Sequence, residues 1–326
     1  MPQPTLQIAV LIPCLNEEAA IAKVVVDFQT ALPAAAIYVY DNGSVDRTAA
    51  VARQAGAIVR TEPLRGKGNV MRRMFADIEA DVYVLVDGDD TYDAASAPLL
   101  VSRLLQDHID MVNGARQEIS THAYRAGHRF GNRMLTGLVG YFFGERFSDI
   151  LSGYRVMSRR FVKSFPALAD GFEIETELTV HALQLRLPIA EVLTPYRDRP
   201  PASSSKLRTF PDGMRILRLI ARMVREERPL QFFSSFAALL ALASLVLGTP
   251  VVLDYFRTGL VPRLPTAVLS TGLMLLSFLS VTCGMILATV TRGRIEAKRL
   301  RYLQIPGQRA SLGLWAERAR RSTSLS

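Results

Sequence analysis

Two long uncharged stretches near the C-terminus constrain this chain more than any other feature of its sequence. Residues 230–253 and residues 264–291 contain no Asp, Glu, Lys or Arg. Each stretch exceeds the roughly 20 residues that a helix needs to cross about 30 Å of hydrocarbon. A buried core helix, the alternative interpretation, usually has a run of only about 10–14 apolar residues. We therefore expect two transmembrane helices within residues 230–291.

Basic residues flank this apolar region on both sides. The tail at residues 292–326 is rich in Arg, and further arginines lie at residues 222–228. By the positive-inside rule, both ends of the region are predicted to face the cytoplasm and the short link between the stretches to face outward. The apolar run at residues 8–12 has no preceding Lys or Arg and stops at Pro13. We therefore expect no signal peptide and a cytoplasmic N-terminal part.

The chain carries a formal net charge of +9. A basic balance of this size is also found in proteins that bind nucleic acid. Most of the excess lies beside the apolar stretches, where anionic lipid headgroups attract Lys and Arg. We therefore expect a membrane partner and no nucleic acid.

The first half of the chain alternates between strand-like and helix-like runs. The strand-like runs are short and rich in Val and Ile, at residues 7–13, 37–41, 57–61, 82–87 and 111–114. Helical patterns lie between them, at residues 18–32, 46–55, 67–78 and 95–107. A further helix is predicted at residues 173–186 and a strand at residues 189–193. This alternation indicates an α/β fold with a mostly parallel sheet covered by helices on both faces.

Polar motifs follow three of the predicted strands. They are Asn16-Glu17, Asp41-Asn42-Gly43-Ser44 and Asp87-Gly88-Asp89-Asp90. Ligands of such sheets bind at the carboxyl ends of the strands. We therefore expect one binding site that combines the three motifs.

The third motif has the chemistry of a cation site. Asp87 and Asp89 are separated by Gly88, which keeps the turn narrow. Mg²⁺ typically uses one or two carboxylates together with substrate phosphates. Acidic turns after strands are common, so this motif alone is a weak signal.

Several motifs occur together in the order and spacing of one known family. They are Pro13-Cys14-Leu15-Asn16-Glu17, the run from Tyr40 to Thr48, the Asp87–Asp90 cluster, Asn113-Gly114-Ala115-Arg116, Ser152-Gly153-Tyr154-Arg155 and Ser205-Lys206-Leu207-Arg208. In these motifs, residues 5–235 resemble glycosyltransferase family 2, and in particular its polyprenyl-phosphate branch, which includes dolichol-phosphate mannose synthases. The resemblance implies the GT-A nucleotide-sugar-binding fold and a metal-dependent, inverting sugar transfer.

The same resemblance assigns roles to individual residues. It implies that Asp87 and Asp89 surround Mg²⁺ or Mn²⁺, with Asp89 as the more direct ligand. It also implies that the nucleotide pocket is lined by Pro13, Leu15, Glu17 and Asp41. The alternative for Asp41 is a simple turn with Ser44.

Basic residues are candidates for phosphate contacts, because a guanidinium fork matches phosphate oxygens. The candidates are Arg116, Arg129 and Arg155. Lys206 follows a flexible Ser run and is predicted to meet a lipid phosphate; without the resemblance it would be an ordinary solvated lysine.

One departure from the family pattern concerns the acceptor. Many polysaccharide-making relatives carry Thr-Glu-Asp, in which the Asp removes a proton from a sugar hydroxyl, whereas this chain has Thr176-Glu177-Leu178. A hydroxyl acceptor needs such a base. A phosphate monoester is already mainly dianionic at pH 7. The departure therefore favours a phosphate acceptor, with Asp149 as a candidate base or acceptor-orienting group.

These observations predict four parts of the chain. A GT-A catalytic domain is expected at residues 1–210, and two transmembrane helices at residues 230–291. Residues 211–229 have a basic and an apolar helical face, which is typical of a helix lying in the membrane interface. Its alternative is a helix packed on its own domain. Residues 292–326 form a basic cytoplasmic tail.

The predicted function is sugar transfer from a nucleotide-sugar to a polyprenyl phosphate, either undecaprenyl or dolichyl, at the cytoplasmic face of the inner membrane. A UDP-sugar is the preferred donor, and GDP-mannose is the alternative donor. A homo-oligomer is one expected state of the protein. The alternatives are a polysaccharide synthase that glycosylates a sugar hydroxyl and a non-catalytic membrane scaffold. A Rossmann dehydrogenase is disfavoured, because no Gly-x-Gly-x-x-Gly follows the first predicted strand.

Overall fold

The computed structural model describes residues 6–118, 137, 148–171, 173–197, 225–226 and 228–307. It divides the chain into two compact units. The first unit contains Met1–Gly213 together with Lys298–Ser326, and the second contains Met214–Ala297. Most of the predicted interfacial helix at residues 211–229 lies outside the described residues.

The first unit is built on one sheet of seven strands in the order β3-β2-β1-β4-β6-β5-β7. Strand β6 runs antiparallel to both of its neighbours, and the other pairs are parallel. The predicted mostly parallel sheet is therefore confirmed. The strands are β1 (Ile8–Cys14), β2 (Ala36–Asp41), β3 (Ile58–Thr61), β4 (Val82–Leu85), β5 (Met111–Glu118), β6 (Arg155–Ser158) and β7 (Ile189–Tyr196).

In the described part of the first unit, six helices connect these strands. They are α1 (Ile21–Ala31), α2 (Thr48–Gln54), α3 (Lys67–Asp77), α4 (Ala97–Gln106), α5 (Arg159–Ser164) and α6 (Ile174–Leu185). Five of them lie within the ranges predicted from helical periodicity. The sequence did not predict β6 and α5, because β6 begins at the last residue of the polar motif at residues 152–155 and α5 follows it directly.

The core forms where apolar helix faces pack on the sheet. In α1, Ile21, Val24, Val25 and Phe28 are buried, at the three- and four-residue spacing of one helix face. Every residue of β4 is buried, as expected for a central strand covered on both sides. This rigid core fixes the strand ends that carry the polar motifs.

The second unit contains two long apolar helices, α7 (Pro229–Thr258) and α8 (Leu264–Gln304). Their most apolar windows have mean hydropathies of 2.3 and 2.2, and only 17% and 11% of these windows are buried. Both helices are therefore candidate membrane spans by length and composition. They contact each other through small polar residues: Ser244 Oγ donates to Ser270 O at 2.7 Å, and Ser277 Oγ donates to Ala237 O at 2.8 Å. Such contacts are common between helices in lipid.

The last turn of α8 belongs to the first unit. Tyr302 donates its hydroxyl to Asp110 Oδ2 at 2.6 Å, and Asp110 is only 1% exposed. The Arg160 guanidinium lies 4.2 Å from the centre of the Tyr302 ring and 3.2 Å from Asp110. Residues directly before β5 and after β6 therefore form a buried polar socket for Tyr302.

Helix α6 contains a buried histidine. We expect it to make the free energy of unfolding depend on pH. His181 is 1% exposed and packs edge-on against Phe161 and Phe165. Burial lowers its pKa to about 3, and the charge of Lys298 acts in the same direction. In the unfolded chain the pKa returns to near 6.5. Between these two values the unfolded state binds a proton that the folded state excludes.

The free energy of unfolding should therefore fall as the pH drops below about 6.5, with a His181 contribution of up to about 1.4 kcal/mol per pH unit. His181→Gln should flatten this slope, because it removes the titrating group. The measurement is thermal or denaturant unfolding of wild type and variant across pH 4–8. His108→Gln, at an exposed histidine, is the control, and an equal change of slope in both variants would contradict the prediction.

Candidate active site

The three polar motifs meet at one edge of the sheet. Strands β2, β1 and β4 are neighbours and run parallel. Their carboxyl ends, and the turns that follow them, therefore lie side by side. The predicted convergence of Asn16-Glu17, Asp41–Ser44 and Asp87–Asp90 at this edge is confirmed.

Hydrogen bonds join the first two turns into one wall of the site. Asn16 N donates to Ser44 Oγ at 2.8 Å, and Val45 N donates to Asn16 Oδ1 at 2.9 Å. Glu17 N donates to Thr48 Oγ1 at 2.9 Å. Asn16 has a φ of 53°, in the left-handed region that Asn tolerates better than most residues. The wall is therefore held in a fixed, locally strained conformation.

The residues predicted to line the nucleotide pocket lie along this wall. Pro13 and Leu15 are partly exposed, whereas Glu17 and Asp41 are 8% and 6% exposed. Ser44 N donates to both carboxylate oxygens of Asp41, at 3.3 and 3.2 Å. Asp41 thus forms the turn with Ser44 that was the alternative expectation for it. A contact between Asp41 and a nucleotide stays a prediction.

Asn42 has a role that the sequence did not reveal. Its amide donates to Glu62 O at 2.9 Å and Leu64 O at 2.7 Å, and its Oδ1 accepts from Gly66 N at 2.7 Å. These three bonds shape the loop that leads from β3 to the start of α3. Asn42 therefore places the first residue of α3, Lys67, at the site.

The acidic turn after β4 is packed closely against β1. A Cβ on Gly88 would lie 2.5 Å from Cys14 Sγ, so the turn requires glycine there. Asp89 is 3% exposed, and its Oδ1 accepts from Thr91 Oγ1 at 2.6 Å. Asp90 has a φ of 59° and pairs with Lys23 at 2.8 Å. The turn thus separates Asp89, which is bonded to Thr91, from Asp90, which pairs with Lys23 of α1.

A buried lysine joins Asp87 to a second acid. Lys67 Nζ lies 2.5 Å from Asp87 Oδ1 and also pairs with Glu175 Oε1. Their side chains are 11%, 26% and 5% exposed, in the order Lys67, Asp87 and Glu175. Burial raises the pKa of the Glu175 carboxyl, and the nearby Asp87 charge raises it further, while Lys67 opposes both. Sequence analysis missed Lys67 and Glu175, because only the folded topology brings them together.

Glu177, two residues beyond Glu175, has a structural role instead. Its carboxylate accepts the backbone N–H groups of Leu168 and Ala169, at 3.1 and 2.8 Å. Arg72 of α3 donates to carbonyl oxygens of the same loop, including Ala167 O at 2.7 Å. The loop at residues 167–170 is thus clamped between α3 and α6, which brings Lys67 and Glu175 into contact.

Asp149 and Arg116 were predicted to have separate roles, but they form one ion pair. Arg116 Nε and Nη2 contact the two carboxylate oxygens of Asp149 at 2.6 and 2.8 Å. The Arg116 guanidinium also lies 5.4 Å from the centre of the Tyr196 ring. The bidentate geometry favours an ionised Asp149 that holds Arg116 in place. Their contacts with substrate stay predictions.

Arg155 is fully buried and donates to internal oxygens. Its guanidinium bonds to Ile150 O at 2.6 Å, Ser152 O at 3.2 Å and Thr179 Oγ1 at 2.9 Å. Burial lowers its pKa to about 10, although Glu175 opposes the shift. This geometry supports a role in holding the turn before β6. It does not present the guanidinium to a phosphate. Arg129 and Lys206 lie outside the described residues.

The sheet order, the acidic turn and the polar wall together define an α/β fold of the GT-A type. A family model described as "Glycosyl transferase family 2" matches residues 9–165. The dolichyl-phosphate hexose transferase of Haloferax volcanii is 30% identical over 68% of this chain and 95% of its own length. Protein RfbJ of Shigella flexneri is 59% identical over 37% of this chain and 95% of its own length.

A solved structure agrees with these relatives. Glucosyl-3-phosphoglycerate synthase from Mycobacterium tuberculosis superimposes with a TM-score of 0.56 at 25% identity, covering 68% of this chain and 80% of that chain. The same synthase has been crystallised in complex with Mn²⁺, UDP-glucose and phosphoglyceric acid. The chain belongs to glycosyltransferase family 2, as the motifs predicted.

Close packing of Gly153 against Asp87 gives a test of this site. A Cβ on Gly153 would collide with both carboxylate oxygens of Asp87. Gly153→Ala should therefore shift Asp87 and reduce sugar transfer by at least about tenfold, because small misplacements at a reacting centre are costly. The measurement is initial rate together with the melting temperature. Gly272→Ala, where a Cβ would meet no atom within 4 Å, is the matched control. Full activity of Gly153→Ala would refute the packing argument.

Proposed function

We propose that this chain transfers a sugar from a UDP-sugar to a polyprenyl phosphate, with inversion at the anomeric carbon and with a divalent cation. The observation that carries the donor half is the meeting of three acidic strand ends at one edge of a GT-A sheet. The acceptor half is supported by the two candidate membrane spans and by a relative named as a dolichyl-phosphate hexose transferase.

A UDP-sugar is the donor that the comparisons support best. The solved synthase was crystallised with UDP-glucose. In this chain the nucleotide would lie against the wall formed by Pro13, Leu15, Glu17 and Asp41. Asp41 would accept a hydrogen bond from the base or ribose.

The residues of the acidic turn fit a divalent cation. Within the described part of the chain, no three His, Cys, Asp or Glu side chains converge as a complete ligand set. A nucleotide site needs only one or two carboxylates, because phosphate oxygens complete the coordination of Mg²⁺. Asp87 and Asp89 supply these oxygens on a turn that Gly88 keeps narrow. The bound cation would neutralise the departing diphosphate.

A phosphate acceptor agrees with the environment of the nearby acids. Glu177 already accepts two backbone N–H groups, and Asp149 is paired with Arg116. Neither acid is placed as an unengaged base that a hydroxyl acceptor would require. A phosphate oxygen is ionised at neutral pH and attacks without prior loss of a proton. Arg116, held by Asp149, is the described cation best suited to face the acceptor phosphate, with Arg129 and Lys206 as further candidates.

The proposed membrane arrangement follows from the charge pattern. Residues 230–291 would cross the inner membrane twice, and residues 1–210, residues 211–229 and the tail at residues 292–326 would lie on the cytoplasmic side. The lipid acceptor would then reach the site from the bilayer that anchors the chain.

Removal of the cation tests the donor half of the proposal. Asp89→Asn should reduce turnover by at least about a hundredfold, the effect seen when one key charge-stabilising group is lost. Chelation should abolish wild-type activity, and Mg²⁺ or Mn²⁺ should restore it. Asp107→Asn, in an exposed pair with Arg103, is the control. Activity that survives both treatments would exclude the metal assignment.

A side-by-side comparison of acceptors tests the other half. Purified protein would receive a UDP-sugar with polyprenyl phosphate, polyprenol, a free oligosaccharide or phosphoglyceric acid, and mass spectrometry and NMR would identify the product. We expect transfer only to polyprenyl phosphate, with the anomeric configuration opposite to that of the donor. Transfer to the oligosaccharide would favour a polysaccharide synthase, and no turnover with any donor would favour a scaffold.

A further inference from the structure

The buried contact of Lys67 with Asp87 and Glu175 places one cation between two anions at the donor end of the site. Burial by itself would lower the pKa of Lys67. The charges of Asp87 and Glu175 outweigh burial and hold that pKa well above its usual value. The contact thus sets one ammonium against two carboxyl groups.

The second oxygen of Glu175 lacks a partner. Glu175 is 4% exposed, and its Oε2 is a buried atom without a hydrogen bond in the part of the chain that the structure describes. An unpaired carboxylate oxygen in such surroundings is costly. Lys67 therefore satisfies only one of the two carboxylate oxygens of Glu175.

Asp87 has two different neighbours on its two oxygens. Oδ1 contacts Lys67, and Oδ2 packs so closely on Gly153 that a Cβ there would collide with it. The ammonium therefore occupies the space between Asp87 and Glu175. Without Lys67, these two carboxylates would face each other with the oxygen donors that a divalent cation prefers.

We propose that Lys67 is a positioning residue that takes the place of a cation between Asp87 and Glu175, so that the divalent ion binds tightly only together with the donor diphosphate. The proposal rests on the proposed function, because it assumes a metal-dependent donor site. An ammonium next to a carboxylate repels a nearby dication strongly at the low effective dielectric of a protein site. The negative diphosphate would offset this repulsion, and Asp89 would then hold the ion.

Binding of Mn²⁺ in the absence of nucleotide tests this proposal without any turnover. The full-length protein in detergent would be titrated with Mn²⁺, and the free ion measured by electron paramagnetic resonance, with and without UDP. Wild type should bind weakly alone and tightly with UDP. Lys67→Met should bind Mn²⁺ at least about tenfold more tightly than wild type without UDP, because a repelling charge is gone.

Two variants identify the carboxylates as the new ligands. The double variant Lys67→Met/Glu175→Gln should lose the gained affinity, because one of the two carboxylates is neutral. Lys163→Met is the matched control, since Lys163 is similarly enclosed, with a 15% exposed side chain paired with Glu79, and lies outside the donor site. An equal gain in Lys163→Met would overturn the proposal.

A third variant keeps the test decisive if Lys67→Met does not fold. Glu175→Gln retains the lysine and replaces one of its two carboxyl partners with a neutral amide. Mn²⁺ affinity in the presence of UDP should fall at least about threefold, because attraction to the dication is reduced. The melting temperature of each variant with and without Mn²⁺ gives an independent measure. An unchanged affinity of Glu175→Gln would contradict the proposal.

The outcomes separate this inference from the proposed function. If wild type binds no Mn²⁺ even with UDP, the metal-dependent donor site is excluded. If wild type binds Mn²⁺ with UDP but Lys67→Met gains no nucleotide-free binding, only the role of Lys67 is refuted.

Discussion

The ion cluster of Lys67, Asp87 and Glu175 is the constraint on which the rest of the active site depends. It joins the start of α3, the turn after β4 and the start of α6, which are distant in the sequence. Removing one partner of such a buried pair leaves an uncompensated charge, at a cost of about 3–5 kcal/mol. The clamped loop between α3 and α6 and the bonds of Asn42 both hold these elements in position. The contacts of this loop and of Asn42 therefore keep Lys67 next to Asp87 and Glu175.

Buried charge has two distinct uses in this domain. Arg155 donates to backbone and hydroxyl oxygens and thereby fixes the turn that places Gly153 against Asp87. Arg116 is held by Asp149 and lies near the Tyr196 ring. The first arginine stabilises the scaffold, and the second presents a guanidinium in a defined orientation. Arg116 follows Asn113-Gly114, and Arg155 follows Ser152-Gly153. Because the two motifs look alike in the sequence, the same role in phosphate binding was predicted for both arginines.

Periodicity and motif spacing predicted the fold well and the site in part. The alternation of apolar runs placed five helices and most strands, because each of these elements forms its own apolar or periodic run in the sequence. The convergence of Asn16, Asp41 and Asp87 followed from the rule that ligands bind at strand ends. Lys67 and Glu175 could not be found in this way, because each looks like an ordinary charged residue at a helix start. Pairings across loops, such as Arg116 with Asp149, depend on tertiary geometry that no local pattern encodes.

The first unit is discontinuous in the sequence, and this affects how it can form. Tyr302 fills the socket of Asp110 and Arg160, yet the ribosome adds it only after both apolar helices. During synthesis Asp110 therefore lacks the Tyr302 hydroxyl until residue 302 has been added. The seven-stranded sheet precedes both apolar helices in the sequence, but its packing is completed by the last helical turn of α8, which follows them. The first unit therefore reaches its final packing only after both apolar helices have been synthesised.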